Sequence, residues 1–108
     1  MNMKEAENAM QHVKVELPAK QADGYVIPLG PVSLVNVVTD KGMVGCGAFD
    51  VAALGNFGYP AAKVRPAQGA SIASIEDLLQ GIVKEANSQA ERLGVRVGQT
   101  GRQALELL

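Results

Sequence analysis

The run Val32-Ser33-Leu34-Val35-Asn36-Val37-Val38-Thr39 constrains this chain more than any other segment. Apolar, mostly β-branched residues fill both alternating sets, which predicts a strand covered on both faces and therefore central in a sheet. Asp40-Lys41-Gly42 follows as a short hairpin loop, where Gly42 can supply the left-handed conformation of a three-residue loop with a bulge. Residues 43–49 then return antiparallel, with Val44, Cys46 and Ala48 on one face and Met43, Gly45, Gly47 and Phe49 on the other. Upstream, His12 to Pro18 alternates, placing Val13, Val15 and Leu17 on one face and Lys14 and Glu16 on the other. Lys20 to Gly24 reads as a turn. Tyr25 to Leu29 reads as a second strand, in which Pro28 lacks a donor and predicts an edge position or an early end.

Downstream, the punctuation is helical. Asp50 is placed to cap a short helix over 51–56. Ala61 to Arg65 reads as a strand with Lys63 and Arg65 on one face and Val64 on the other. Ser74 and Asp77 form a capping-box-like pair ahead of Ile75, Leu78, Leu79, Ile82, Val83, Ala86, Ala90 and Leu93, whose spacing predicts one long helix stopped by Gly94. Val95-Arg96-Val97 is a short strand or an extended link. Thr100 and Gln103 form a second capping box, opening a final helix that runs to Leu108. The fold class is α+β: a mixed, largely antiparallel sheet with one long helix and two short helices packed on it.

A chain of 108 residues suits one core. Residues 1–11 read as an N-terminal tail and 12–108 as a single α+β domain. With 47% hydrophobic and 19% charged residues, the chain has the composition of a folded protein. A net charge of −1 and four scattered aromatic rings offer neither a basic stripe nor a stacking platform, which excludes nucleic acid as a partner. One cysteine cannot form an intrachain disulfide, and with a single histidine it cannot assemble a zinc site. No metal or other cofactor is implied. The polar N-terminus lacks a signal-peptide core, and no apolar run approaches the ~20 residues of a membrane span. The chain reads as soluble and cytoplasmic, where its thiol would stay reduced.

Cys46 is the sharpest candidate site. Gly45 and Gly47 on either side would let a ligand approach the backbone, so that the thiol could act as a nucleophile beside N–H donors. The competing reading is a buried cysteine behaving as a small hydrophobe, because free cysteines are commonly buried and His12 is not placed beside Cys46. The Thr100-Gly101-Arg102 helix start could hold an anion, against the plainer reading that Thr100 only caps the helix with Gln103. Lys63 and Arg65 could bind an anion or form a solvated charged face. Asp40, Asp50 and Asp77 each have a turn or capping role, and with Glu76 they show no metal-ligand spacing. Asn36, a polar residue in an apolar strand, needs hydrogen-bond partners wherever it is buried.

Three fragments taken in order carry a resemblance: Thr39-Asp40-Lys41-Gly42 with Cys46-Gly47, then Ile75-Glu76-Asp77-Leu78-Leu79, then Gly98-Gln99-Thr100-Gly101-Arg102-Gln103-Ala104-Leu105. Over about residues 26–108 the chain resembles the YunC-like family, small domains of unknown function from archaea and bacilli. The resemblance implies a compact α+β domain and carries no established activity. The chain departs from the family pattern at Ala48, where an aromatic usually follows the Cys-Gly pair. Two function classes remain. One is a homo-oligomeric module that binds a small molecule or a partner. The other is a cysteine-dependent enzyme acting on a small anionic metabolite, with Cys46 catalytic and Gly45, Gly47, Thr100, Gly101 and Arg102 binding.

Overall fold

The computed structural model describes residues 9–69 and 71–108. Within them six strands lie side by side in chain order: β1 (Gln11–Leu17), β2 (Lys20–Pro28), β3 (Ser33–Val38), β4 (Met43–Gly45), β5 (Ala61–Arg65) and β6 (Ile82–Ala86). Neighbours pair antiparallel except β4 and β5, which run parallel. The parallel pair needs a crossover, and α1 (Val51–Gly55) supplies it. The remaining helices are α2 (Ile75–Gln80), α3 (Ser88–Arg92) and α4 (Gly101–Leu107). The α+β class and the mixed, largely antiparallel sheet follow the sequence pattern. Most of the predicted tail, residues 1–8, lies outside the described residues.

The core sits mainly on one face of the sheet. Val35 and Val37 of β3, Val44 and Cys46 at β4, Val64 of β5 and Val83 of β6 meet Leu78, Leu79, Ala104, Leu105 and Leu108 there. On the other face Met43 and Ala61 pack against Val51 of α1. The central strand is therefore apolar on both sides for the expected reason: each side is roofed where β3 and β4 run.

Local caps match their sequence signals. Asp50 Oδ1 accepts from the Ala53 N–H, Ser74 Oγ accepts from the Asp77 N–H, and the full Thr100–Gln103 capping box is present. Three expectations need correction. The first turn is Pro18-Ala19, not Lys20 to Gly24: β2 already begins at Lys20, opposite Leu17. Gly24 sits inside that strand because a side chain there would crowd Ile75 of α2, which packs on it. Pro28 ends β2 early, but β2 is an interior strand. Finally, Gly42 does not adopt a left-handed conformation. The Thr39 hydroxyl organises that loop by accepting from the Lys41 and Gly42 N–H groups, and Gly42 is needed because a Cβ would collide with the Pro60 carbonyl.

The long helix is the largest correction. Its predicted span is divided into α2, β6 and α3. At Gly81 the backbone leaves α2 in an extended conformation (φ −64°, ψ 166°), pressed so near Val64 and the Arg65 carbonyl that a side chain would not fit. Ile82 and Val83 then complete the sheet against β5. Asn87 starts a new helix. Its Oδ1 accepts from Ala90 N–H at 3.0 Å and from Ala61 N–H at 3.1 Å, while its Nδ2 donates to the Val51 carbonyl at 2.9 Å and the Tyr59 carbonyl at 2.8 Å. The strand forms here because Ile82 and Val83 can pair with β5 while Gly81 ends one helix and the Asn87 amide starts the next. The 95–97 segment is an extended link. It leads into backbone bonds between Val83 and the Gly98–Gln99 pair, which lie along the outer side of β6.

Replacing Asn87 by Ala removes four hydrogen bonds and strands two buried carbonyls and two N–H groups. Denaturant unfolding should show a loss of about 3 kcal/mol or more. The Gly101→Ala variant puts a Cβ against the Leu78 carbonyl oxygen. It should cost about 1–3 kcal/mol by the same assay, the usual range for overpacking.

Candidate functional site

Cys46 follows β4, with its N–H donated to the Val35 carbonyl at 2.9 Å. It is a free thiol and only 6% exposed. It nevertheless lines an open cavity of about 260 Å³ together with Gly47, Val64, Arg65, Pro66, Ser71, Ile72 and Lys84. The floor is apolar, from Val64 and Ile72, and the rim carries two cations and a hydroxyl. Gly47 is exposed, with open space where a side chain would project. Gly45 faces away: a Cβ there would run into the ring of Phe49, which covers it on the other side of the sheet. The two glycines flanking the thiol thus have different reasons. One admits an aromatic ring, and the other leaves the cavity mouth clear.

Lys84 reaches this cavity through a β-bulge. The register steps from Lys63 opposite Glu85 to Val64 opposite Val83, so Lys84 has no partner across β5. The two predicted cations have different surroundings. Lys63, with a side chain only 17% exposed, pairs with Glu85 at 3.4 Å, while Arg65 lines the cavity. Arg65, Lys84 and Cys46 are therefore brought together from β5, β6 and the end of β4. Sequence reading singled out Cys46, Gly47 and Arg65 and missed Lys84, Ser71 and Ile72. Only the bulge directs Lys84 there, and a lysine following two β-branched residues announces no bulge.

The Thr100-Gly101-Arg102 helix start lies elsewhere, and three of the N–H groups there are occupied. Thr100 N–H donates to Gln103 Oε1 at 2.9 Å, Gly101 N–H to the Gly81 carbonyl at 2.8 Å, and Gln103 N–H to Thr100 Oγ1 at 3.1 Å. Gly101 serves close packing on α2, and Arg102 is exposed. Asn36 is half-buried and its Nδ2 lies 4.0 Å from Met43 Sδ. Among the described residues no group of three or more His, Cys, Asp or Glu side chains could hold a metal ion, and no helix is long and apolar enough to cross a membrane.

Where this geometry sits in a wider set of proteins is given by three similarities. Residues 45–108 match the family model described as Domain of unknown function (DUF1805). Uncharacterized protein YunC of Bacillus subtilis (strain 168) is 32% identical over 79 residues, 73% of this chain and 77% of that protein. The chain belongs to the YunC-like family. A crystal structure of a protein of unknown function from Thermoplasma acidophilum has the same fold, with a TM-score of 0.79 over 91% of each chain at 24% identity. The DUF1805 segment contains every residue that lines the Cys46 cavity of this YunC-like chain.

A second polar cluster lies three strands away on β1 and β2. The opposed pairs His12–Tyr25, Tyr25–Asn36 and Asn36–Gly45 put His12 about 14 Å from the β4 backbone at the usual strand spacing. Its ring stacks on Tyr25 with centroids 4.7 Å apart, and its Nε2 lies 2.9 Å from Asp23 Oδ1. His12 is thus employed on β2 and is remote from the thiol. Lys14 Nζ donates to the same Asp23 oxygen at 2.7 Å. The hydrogen bond from Lys14, followed by that from His12, holds the Asp23 carboxyl below the usual aspartate range. Reciprocally, the bond to Asp23 raises Lys14.

A depressed carboxyl adds stability above its unfolded value and loses it as pH falls through its folded value. A raised lysine adds stability below its unfolded value and loses it as pH rises through its folded value. The cluster therefore contributes fully between about pH 4 and about pH 10. In pH-dependent unfolding, the small stability gap between the native chain and Asp23→Asn should close as pH falls below about 4. It should also shrink with added salt, because all three partners are open to solvent.

Proposed function

We propose that this YunC-like chain is a small-molecule-binding domain that works as a homo-oligomer and takes a small anionic ligand in the Cys46 cavity. The observation that carries this reading is the joint placement of Arg65 and Lys84 on the rim of a cavity with an apolar floor and an open mouth at Gly47. A few convergent polar groups over an apolar floor are what small-ligand sites usually present. A volume near 260 Å³ suits a ligand of metabolite size. Assembly is supported by apolar side chains left open at one end of the sheet, where Met10, Leu29 and Val32 are each more than half exposed. The single free thiol supports a reducing, cytoplasmic setting.

A cysteine-dependent enzyme acting on a small anionic metabolite is the second reading. It is favoured by the thiol's place in the cavity wall beside two cations. The first reading is preferred because, among the described residues, the cavity lining includes neither a histidine nor a carboxylate to serve as base.

Thermal unfolding with a panel of small phosphates and carboxylates tests the binding reading. A true ligand at a hundredfold over its Kd adds about 2.7 kcal/mol, which moves the midpoint by roughly 10 °C in a domain of this size. The same ligand should slow alkylation of Cys46 by iodoacetamide, and Lys84→Ala should abolish both effects. A panel that moves neither readout sinks the anion site. Cys46→Ser should preserve the thermal shift if the domain only binds. If instead a turnover is found and this variant loses it, the enzyme reading takes over.

A further inference from the structure

We infer that the free edge of β1 is the contact surface for a second copy of this chain, paired antiparallel so that Lys14 of each copy lies opposite Glu16 of the other. This rests on the homo-oligomeric part of the reading above and gives it a surface. The first support is backbone geometry. Leu17 and Lys20 flank a two-residue turn, and only a mutually hydrogen-bonded pair can close such a turn. Antiparallel alternation then directs the bonds of Val15, Val13 and Gln11 toward β2. The N–H and C=O groups of His12, Lys14 and Glu16 point away from the sheet. Among the described residues nothing pairs with them.

Edge strands usually carry a device that blocks further pairing: a proline, a bulge or an unmatched charge. Between Gln11 and Leu17 there is no proline and no glycine, and the register with β2 is unbroken across all seven residues. The charges are present but self-complementary, and Lys14 and Glu16 stay exposed beside their partners on β2, Asp23 and Gln21. A two-fold axis at Val15 sets Lys14 against Glu16 twice, Val15 against its counterpart, and Val13 against Leu17. An axis one pleat away, at Lys14, would set the two lysines against each other. Opposite charges directly across a strand pair stabilise it and like charges destabilise it, so the sequence selects the first register.

The second support is apolar. Val13 is 43% exposed, although it is on the same face as the buried Val15 and Leu17. It lines an open groove of about 540 Å³ with Val26 of β2 and Ile75 at the start of α2. In the proposed register the second copy's strand runs alongside Val13 and closes one side of this groove, with its residue 17 opposite Val13. The occupant is thus a second copy, whose strand offers the charge pattern that matches this edge.

Sedimentation equilibrium tests the pairing with three variants. Lys14→Pro removes one outward N–H, which a monomer does not use, and should weaken dimerisation by about tenfold or more while the chain stays folded by circular dichroism. Glu16→Lys and Lys14→Glu each create two like-charge pairs, and each alone should weaken the dimer by about tenfold. An equimolar mixture of those two should form a heterodimer about tenfold tighter than either variant alone, because every pair across the axis is then opposite in sign. If Lys14→Pro does not fold, the charge variants decide the matter alone. A wild-type chain that is monomeric at about 0.1 mM overturns both the oligomer reading and this edge. A wild-type dimer untouched by all three variants overturns the edge and leaves the oligomer reading standing.

Discussion

The amide of Asn87 is the contact on which the second half of the fold depends. Its two ends reach four backbone groups belonging to α1, the Tyr59 corner, the start of β5 and the first turn of α3. No other side chain of its size could do this, because an asparagine offers both donors and acceptors on one short stem. Aspartate would lose the two bonds to carbonyls, and leucine all four. Placed just after β6, this one residue ties the parallel crossover from β4 to β5 to the start of α3, beside the β5–β6 ladder itself. Burial at 8% exposure makes each of those bonds worth more than it would be in water.

Much of the fold was legible because local signals agreed with the tertiary arrangement. The doubly apolar Val32–Thr39 run is a central strand, and three capping residues start helices where their side chains can reach the N–H groups. What was illegible had two equally good local solutions. The stripe from Ile75 to Leu93 satisfies a helical period, yet Ile82 and Val83 also satisfy a strand. The choice fell to a sheet edge and to Gly81 and Asn87, whose roles are visible only in three dimensions. Gly42 and Gly101 were read as glycines for a turn and a ligand, whereas both are there to let backbone meet backbone.

The site shows the same division. Cys46 and its flanking glycines stood out in the sequence as an unusual triplet, and the structure gives Gly45 to an aromatic ring and Gly47 to an open mouth. Arg65 was legible as a cation but not as a neighbour of the thiol. Lys84 was invisible, since an amphipathic helix would have placed it in solvent. A single extra residue in β6 converts an ordinary surface lysine into part of a cavity wall, a use of bulges that recurs where side chains must be re-aimed. The cavity thus owes its polarity to an irregularity in pairing rather than to any motif.

The two borders of the sheet are not equivalent. β6 is bulged at Lys84, and the link through Gly98 and Gln99 already bonds to Val83 along its outer side, so the first half of that border is occupied by the chain itself and the rest is irregular. Among the described residues β1 keeps its outward groups. A sheet with two open borders can add copies without end, which is the geometry of a fibre. A sheet with one open border has only a single addition available, after which both remaining borders are the shielded kind. The short link beyond α3 therefore caps growth: it sets a ceiling on how large any strand-to-strand assembly of this protein can become.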